Sequence, residues 1–139
     1  MLLSDPGMGK SSLVESLAAA EGVSCEVVLG SIHEPADIGG MPLPRGEDYV
    51  LAPPDWARRL HCEGAGYLFL DELTTVSPRT QGAMLTVVLN KQVGALRLPS
   101  RVRVVAGANP PGSAAGGYEL EAPMANRFCH IDFQPTTGE

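Results

Sequence analysis

Positive charge is in short supply in this chain: ten lysines and arginines stand against sixteen aspartates and glutamates, a formal charge of −6. A field of that sign repels nucleic acid and anionic membrane, so neither is an expected partner without a local basic patch. Long apolar runs are missing as well. Nothing in the 139 residues approaches the ~18 consecutive apolar positions of a membrane span, so the chain reads as soluble. Cysteine is sparse: Cys25, Cys62 and Cys129 are odd in number and form no CxxC pair. That pattern argues against a disulfide framework or a zinc site and for free thiols in a reducing compartment. No signal-peptide pattern precedes the first motif, which makes the cytoplasm the expected location, and no internal repeat is evident.

What is present is ordinary globular material, 44% hydrophobic and 19% charged, enough for one domain with a real core over residues 1–139. Leu2 and Leu3 read as the stump of a strand, followed by the loop Ser4 to Gly9. A helix then runs from about Lys10 to Ala20, with Leu13, Val14, Leu17 and Ala18 at helical spacing and Gly22 as its stop. "CEVVL", Cys25 to Leu29, is a short valine-rich strand ending at Gly30. Residues 34–54 hold too many prolines and glycines for a helix interior; they read as a short helical turn and an irregular hairpin around Arg45 to Asp48.

Asp55 is placed to cap a helix through about Cys62, and an apolar strand follows at Tyr67 to Leu70. Ser77 with Pro78 opens another helix with Met84, Leu85, Val88 and Leu89 on one side. "KQVGALRLP" reads as a small hairpin and "VRVVAGANP" as a strand ending at Asn109. A glycine-rich loop, Gly112 to Gly117, precedes a short helical piece at Ala122 to Arg127 and a last strand, "CHIDF". Strands alternating with helices imply a parallel sheet covered on both faces, an α/β three-layer αβα domain. Such sheets bind ligands at the carboxyl ends of their strands.

The chemistry concentrates at those ends. "SDPGMGKSS" matches the end of the phosphate-loop pattern GxxxxGK[ST] at Gly9, Lys10 and Ser11, while Ser4 stands at its first glycine. Gly7 and Gly9 permit a tight path, so the segment Asp5, Pro6, Gly7, Met8, Gly9, Lys10, Ser11 and Ser12 presents backbone N–H groups and a helix N-terminus to phosphate. Lys10 then reaches the β and γ phosphates, and the Ser11 hydroxyl sits on Mg²⁺. If position 4 requires a positive φ, Ser4 is strained by about 1 kcal/mol. Asp71 and Glu72 end the apolar strand "YLFL": one acid suits Mg²⁺ beside the phosphates, the next suits polarising an attacking water.

In this order the stretches resemble the AAA+ ATPases, and within them the MoxR-like and dynein-related branch. "SDPGMGKSS" stands as Walker A, "YLFLDEL" as Walker B, "VVAGANP" as sensor 1 and "APMANRFCHIDF" as the arginine-finger segment. The hairpin insert of that branch corresponds to "GMPLPRGEDYVLAPP". The resemblance implies a P-loop NTPase fold, ATP with Mg²⁺, and hydrolysis coupled to remodelling of a partner protein, in relatives a von Willebrand factor A protein. It also implies a ring, expected to be hexameric. Asn109 would bond the γ-phosphate or the lytic water, and Arg127 would act on the neighbouring subunit's nucleotide, with Asn126 positioning it. Members of the family also have a leading segment that helps hold adenine and a helical lid with a second sensing arginine, and neither is expected within residues 1–139.

Other residues read as structural. His33, His61 and His130 lack ligand spacing, Trp56 suits an anchor for the insert, and Arg45, Arg58, Arg59 and Arg97 suit solvated charge. Three further possibilities follow from the same residues: a nucleotide-binding scaffold that does not hydrolyse, a small P-loop phosphotransferase, and a DNA-remodelling ring. The acid pair with Asn109 and Arg127 weighs against the phosphotransferase, and the acidic balance against DNA.

Overall fold

The computed structural model describes residues 1–110, 112–113 and 117–136. Five parallel strands form the central sheet: β1 (Leu2–Leu3), β2 (Ser24–Leu29), β5 (Ala65–Asp71), β8 (Arg101–Ala108) and β9 (Ile131–Asp132), in the order β2-β5-β8-β1-β9. In β5 successive side chains alternate between the faces, and both faces are covered. Tyr67 and Phe69 meet Val14 and Ala18 of α1 (Lys10–Glu21) on one side. Leu68 and Leu70 meet α3 (Asp55–Glu63), α4 (Pro78–Asn90) and α5 (Ala122–Ala125) on the other. Phe69, Leu68 and Leu70 are fully buried; each contributes roughly 1.5–3 kcal/mol over exposure. The three-layer αβα fold follows from that double burial.

Several local expectations shift. Helix α1 extends to Glu21 and stops at Gly22 in the left-handed conformation, and Leu17 is exposed, leaving Val14 and Ala18 as the buried stripe. In α4 the buried stripe is Thr80, Gln81, Met84 and Val87; Leu85 and Val88 pack beside it, and Leu89 faces out. Pro54 occupies the cap position of α3 and Asp55 is its first helical residue. Ser77 does cap α4, its Oγ accepting from the Thr80 N–H at 3.3 Å.

The insert comprises α2 (Pro35–Gly39) and a hairpin of β3 (Met41–Arg45) and β4 (Asp48–Ala52). The hairpin is regular rather than irregular: it pairs Met41 with Ala52 through to Arg45 with Asp48, turning at Gly46, φ 64°. A second hairpin, β6 (Gln92–Val93) with β7 (Leu96–Arg97), seats against the first. The Ala95 N–H donates to the Leu51 carbonyl at 3.0 Å. A Cβ on Gly94 (φ 58°) would stand 2.6 Å from that same oxygen, and one on Gly40 3.1 Å from the Gly94 Cα. The glycine-rich stretch Gly112 to Gly117 lies partly outside the described residues. Among the described residues no helix is long and apolar enough to cross a membrane.

Candidate functional site

The loop after β1 turns on Gly7 (φ 78°) and Gly9 (φ 80°), both left-handed, and Gly9 opens α1 with no side chain capping it. The first-turn N–H groups of α1 thus face the loop's concavity, a ready place for an anion. Ser4 does not need a positive φ: among the described non-glycine residues only Glu72 and Lys91 have one, so the expected strain is absent. Instead Ser4 is buried and serves Lys10. The Lys10 ammonium donates to Ser4 O at 3.0 Å, Ser4 Oγ at 3.1 Å and Asp5 O at 3.2 Å, with Asn109 Oδ1 at 3.5 Å.

Parallel pairing of β5 with β8 and of β8 with β1 brings the other polar residues to the same edge. Asp71 Oδ1 accepts the Glu72 N–H at 2.8 Å. Burial pushes the Asp71 carboxyl above the usual carboxylate range, Glu72 adding to the rise, while the Glu72 N–H and the Lys10 charge hold it back. Glu72 itself is left-handed (φ 59°, ψ 40°), a strain of roughly 1–2 kcal/mol for a side chain with a Cβ. Its carboxylate accepts from Ser31 Oγ. Ser31 lies in a 3-10 turn, Gly30–Ile32, directly after β2, and the pairing of Leu29 with Asp71 is what sets it beside Glu72. Asn109 follows β8, its N–H 3.5 Å from Thr74 Oγ1.

Pro6, Gly7, Met8, Gly9, Lys10, Ser11, Asp71, Glu72 and Asn109 line one cavity of about 220 Å³. A larger hollow of about 390 Å³ lies beyond Asn109, walled by Leu3, Ala108, Leu120 and Ala125, but without the loop amides or Lys10. Three expected site residues stand outside the smaller cavity. The Asp5 carboxylate accepts from Ser113 Oγ at 3.2 Å, so only its backbone oxygen, on Lys10, serves the loop. Ser12 is exposed on the outward side of α1. Arg127, after α5, is exposed and forms no ion pair among the described residues. Ser31 is the residue that sequence reasoning missed, because its place depends on a strand pairing.

The donor set suits Mg²⁺. Among the described residues no group of three His, Cys, Asp or Glu gathers. Mg²⁺ takes one or two side chains and completes its shell with phosphate oxygens and water, as Ser11 and Asp71 in one cavity would allow. His33, His61 and His130 each face a backbone carbonyl, of Leu29, Arg97 and Ala125 respectively. Trp56 is buried in the main core. Arg45 and Arg97 are exposed, Arg58 reaches the Pro53 carbonyl, and Arg59 pairs with Glu26 at 2.6 Å rather than standing free.

Two measurements probe this edge. Gly107 lies in β8 beside Asp71, and a Cβ there would meet Asp71 Oδ1 at 2.5 Å and Phe69 Cζ at 2.9 Å. Gly107→Ala should therefore lower unfolding stability by about 1–3 kcal/mol in urea titration; wild-type stability would show that the strand yields freely. The raised Asp71 carboxyl favours the protonated folded state, so its stabilising contribution is present below the unfolded value of 3.8 and is lost as pH rises through the folded value. In metal- and nucleotide-free protein, Asp71→Asn should melt higher than wild type near pH 7, with the gap closing toward pH 4. A gap independent of pH would remove burial as the cause.

A left-handed glycine loop on a helix N-terminus, a buried lysine, and an acid pair with an asparagine on the adjacent strands define a P-loop nucleotide-binding domain. The chain belongs to the AAA domain family, dynein-related subfamily, which matches it over residues 1–128. Its fold is similar to that of a candidate ATPase from Cytophaga hutchinsonii, with a TM-score of 0.66 and 20% identity, covering 96% of this chain and 41% of that one. It is also similar to two structures of RuvB from Thermotoga maritima. One is a mutant with a lysine replaced by arginine (TM-score 0.62, 17% identity, 95% of this chain and 36% of that one). The other is described as a Holliday junction branch migration motor (TM-score 0.57, 20% identity, 94% and 35%). The chain thus spans 35% to 41% of the length of these structures. No curated protein sequence matches it. Membership places the chain among nucleotide-binding ATPase domains.

Proposed function

We propose that residues 1–139 are the nucleotide-binding core of a MoxR-like ATPase that hydrolyses Mg·ATP and uses the energy to remodel a partner protein. The observation that carries this reading is the meeting of Lys10, Ser11, Asp71, Glu72 and Asn109 in one cavity at the carboxyl edge of the sheet. Lys10 and the loop amides bind and orient the phosphates; Glu72 takes the proton of the attacking water; Asn109 aligns that water or the γ-phosphate. Ser11 and Asp71 would hold Mg²⁺, which when bound would supply charge neutralisation on the phosphate oxygens.

Arg127 stands outside its own subunit's cavity, which fits a guanidinium that serves a neighbour's nucleotide in a ring, here proposed as a hexamer. The remodelled partner is a protein, of von Willebrand factor A type by the family resemblance. Free Cys25, Cys62 and Cys129 fit a cytoplasmic setting. The test is ATP hydrolysis with Mg²⁺ or with chelator, followed across protein concentration. Turnover per chain should rise with concentration, vanish with chelator, and fall by about 1,000-fold or more in Arg127→Ala with binding unchanged. Turnover per chain that is flat with concentration and indifferent to Arg127 would refute the shared site.

A further inference from the structure

Gln81 is a polar residue buried to 1% exposure, and its partners are all backbone groups. Its Nε2 donates to the Val76 carbonyl at 3.2 Å and to the Glu119 carbonyl at 3.1 Å, and its Oε1 accepts the Glu121 N–H at 3.0 Å. A glutamine amide has two donor hydrogens, and both are used; a hydrocarbon of the same size would take the side-chain partner from three backbone groups, one of them, the Val76 carbonyl, in a buried bond. Next to it the Tyr118 N–H donates to the Thr74 carbonyl at 2.8 Å. Residues 118–121 are thereby tied to the stretch 74–81, which continues directly from Asp71 and Glu72.

The same tie sets the start of α5. The Glu121 carbonyl accepts the N–H groups of Met124 and Ala125, each at 3.0 Å, Met124 is buried in the core, and the Arg127 N–H donates to the Met124 carbonyl at 3.2 Å. Arg127 therefore stands six residues beyond Glu121, the point at which Gln81 holds this segment. We propose that Gln81 is a positioning residue for Arg127, locking the arginine-bearing segment to the segment that carries the acid pair. This rests on the trans role of Arg127 proposed above. One subunit's acid pair and the arginine it lends to its neighbour then move as one body.

Gln81→Met keeps the length and removes all three hydrogen bonds. Its amide hydrogen exchange should quicken by about tenfold or more at Glu121 and at residues 125–127, with residues 7–14 exchanging as in wild type. Alone, the variant should bind nucleotide normally and turn over slowly; mixed with Lys10→Ala subunits, which bring an intact Arg127 but a disabled phosphate loop, it should regain turnover. Loss of a merely structural contact in its own site would not be restored in this way. Unchanged exchange over residues 118–127 overturns the proposal, and so does a mixture as slow as the variant while wild type mixed with Lys10→Ala is active. Should Gln81→Met fail to fold, Gln81→Glu, which keeps the acceptor for the Glu121 N–H and loses the amide donors to the Val76 and Glu119 carbonyls, carries the exchange measurement at residues 125–127 and the mixing experiment. If wild type itself hydrolyses nothing, the ATPase reading fails and the exchange result alone decides the role of Gln81.

Discussion

Glu72→Gln is expected to slow ATP turnover by about 100- to 10,000-fold while nucleotide remains bound, the range associated with losing a positioned general base. The substitution is close to a pure chemical change. A glutamine oxygen still accepts from Ser31 Oγ, and the left-handed backbone at this position is no harder for glutamine than for glutamate. The Glu72 N–H to Asp71 Oδ1 bond does not involve the side chain at all. Folding stability should accordingly change little, and what disappears is the capacity to take a proton from water. Single-turnover hydrolysis alongside equilibrium ATP binding separates the two effects. Wild-type turnover in the variant would mean that another group activates the water.

Lys10→Ala should remove most of the affinity for ATP, by about 100-fold or more, since hydrogen bonds to charged groups contribute roughly 1.5–3 kcal/mol each and this ammonium would meet two phosphates. The lysine also has work in the empty protein, where it holds the Ser4 and Asp5 oxygens of its own loop. Truncation should therefore also reduce thermal stability somewhat, and affinity must be read apart from folding. The rise in melting temperature that saturating Mg·ATP gives to wild type should be nearly absent in the variant at the same ligand concentration. An equal rise in both proteins would place the phosphates somewhere other than this loop.

The phosphate loop and the acid pair were legible because their determinants are local. Gly7 and Gly9 permit backbone angles that other residues resist, and an apolar run ending in Asp71 and Glu72 identifies a buried strand with its polar edge. The inward side of α4 was less legible for an equally physical reason. Met84, Leu85, Val87, Val88 and Leu89 surround much of the helix, so periodicity alone could not choose the side that turned out to bury Met84 and Val87 and expose Leu89. Ser31 and Gln81 were beyond local reasoning. One is placed by the pairing of Leu29 with Asp71, the other by a segment about forty residues later in the chain. Ser4 shows the limit of a pattern: the serine at a glycine position escapes strain and instead gives the lysine a hydroxyl partner.

The seat between the two hairpins is made of main chain. Leu51 contributes a carbonyl, Ala95 an N–H, and Gly40 and Gly94 the lack of a side chain. Any residue has a carbonyl and every residue but proline has an N–H, so the side chains at positions 51 and 95 are largely free to vary. In a saturation library scored for folded protein, those two positions should tolerate most replacements, with proline refused at 95, while 40 and 94 should admit little besides glycine. Met41, Leu43 and Tyr49, all exposed on the same ribbon, are then open to substitution without loosening its attachment. The insert can diversify its outward chemistry while its footing stays fixed.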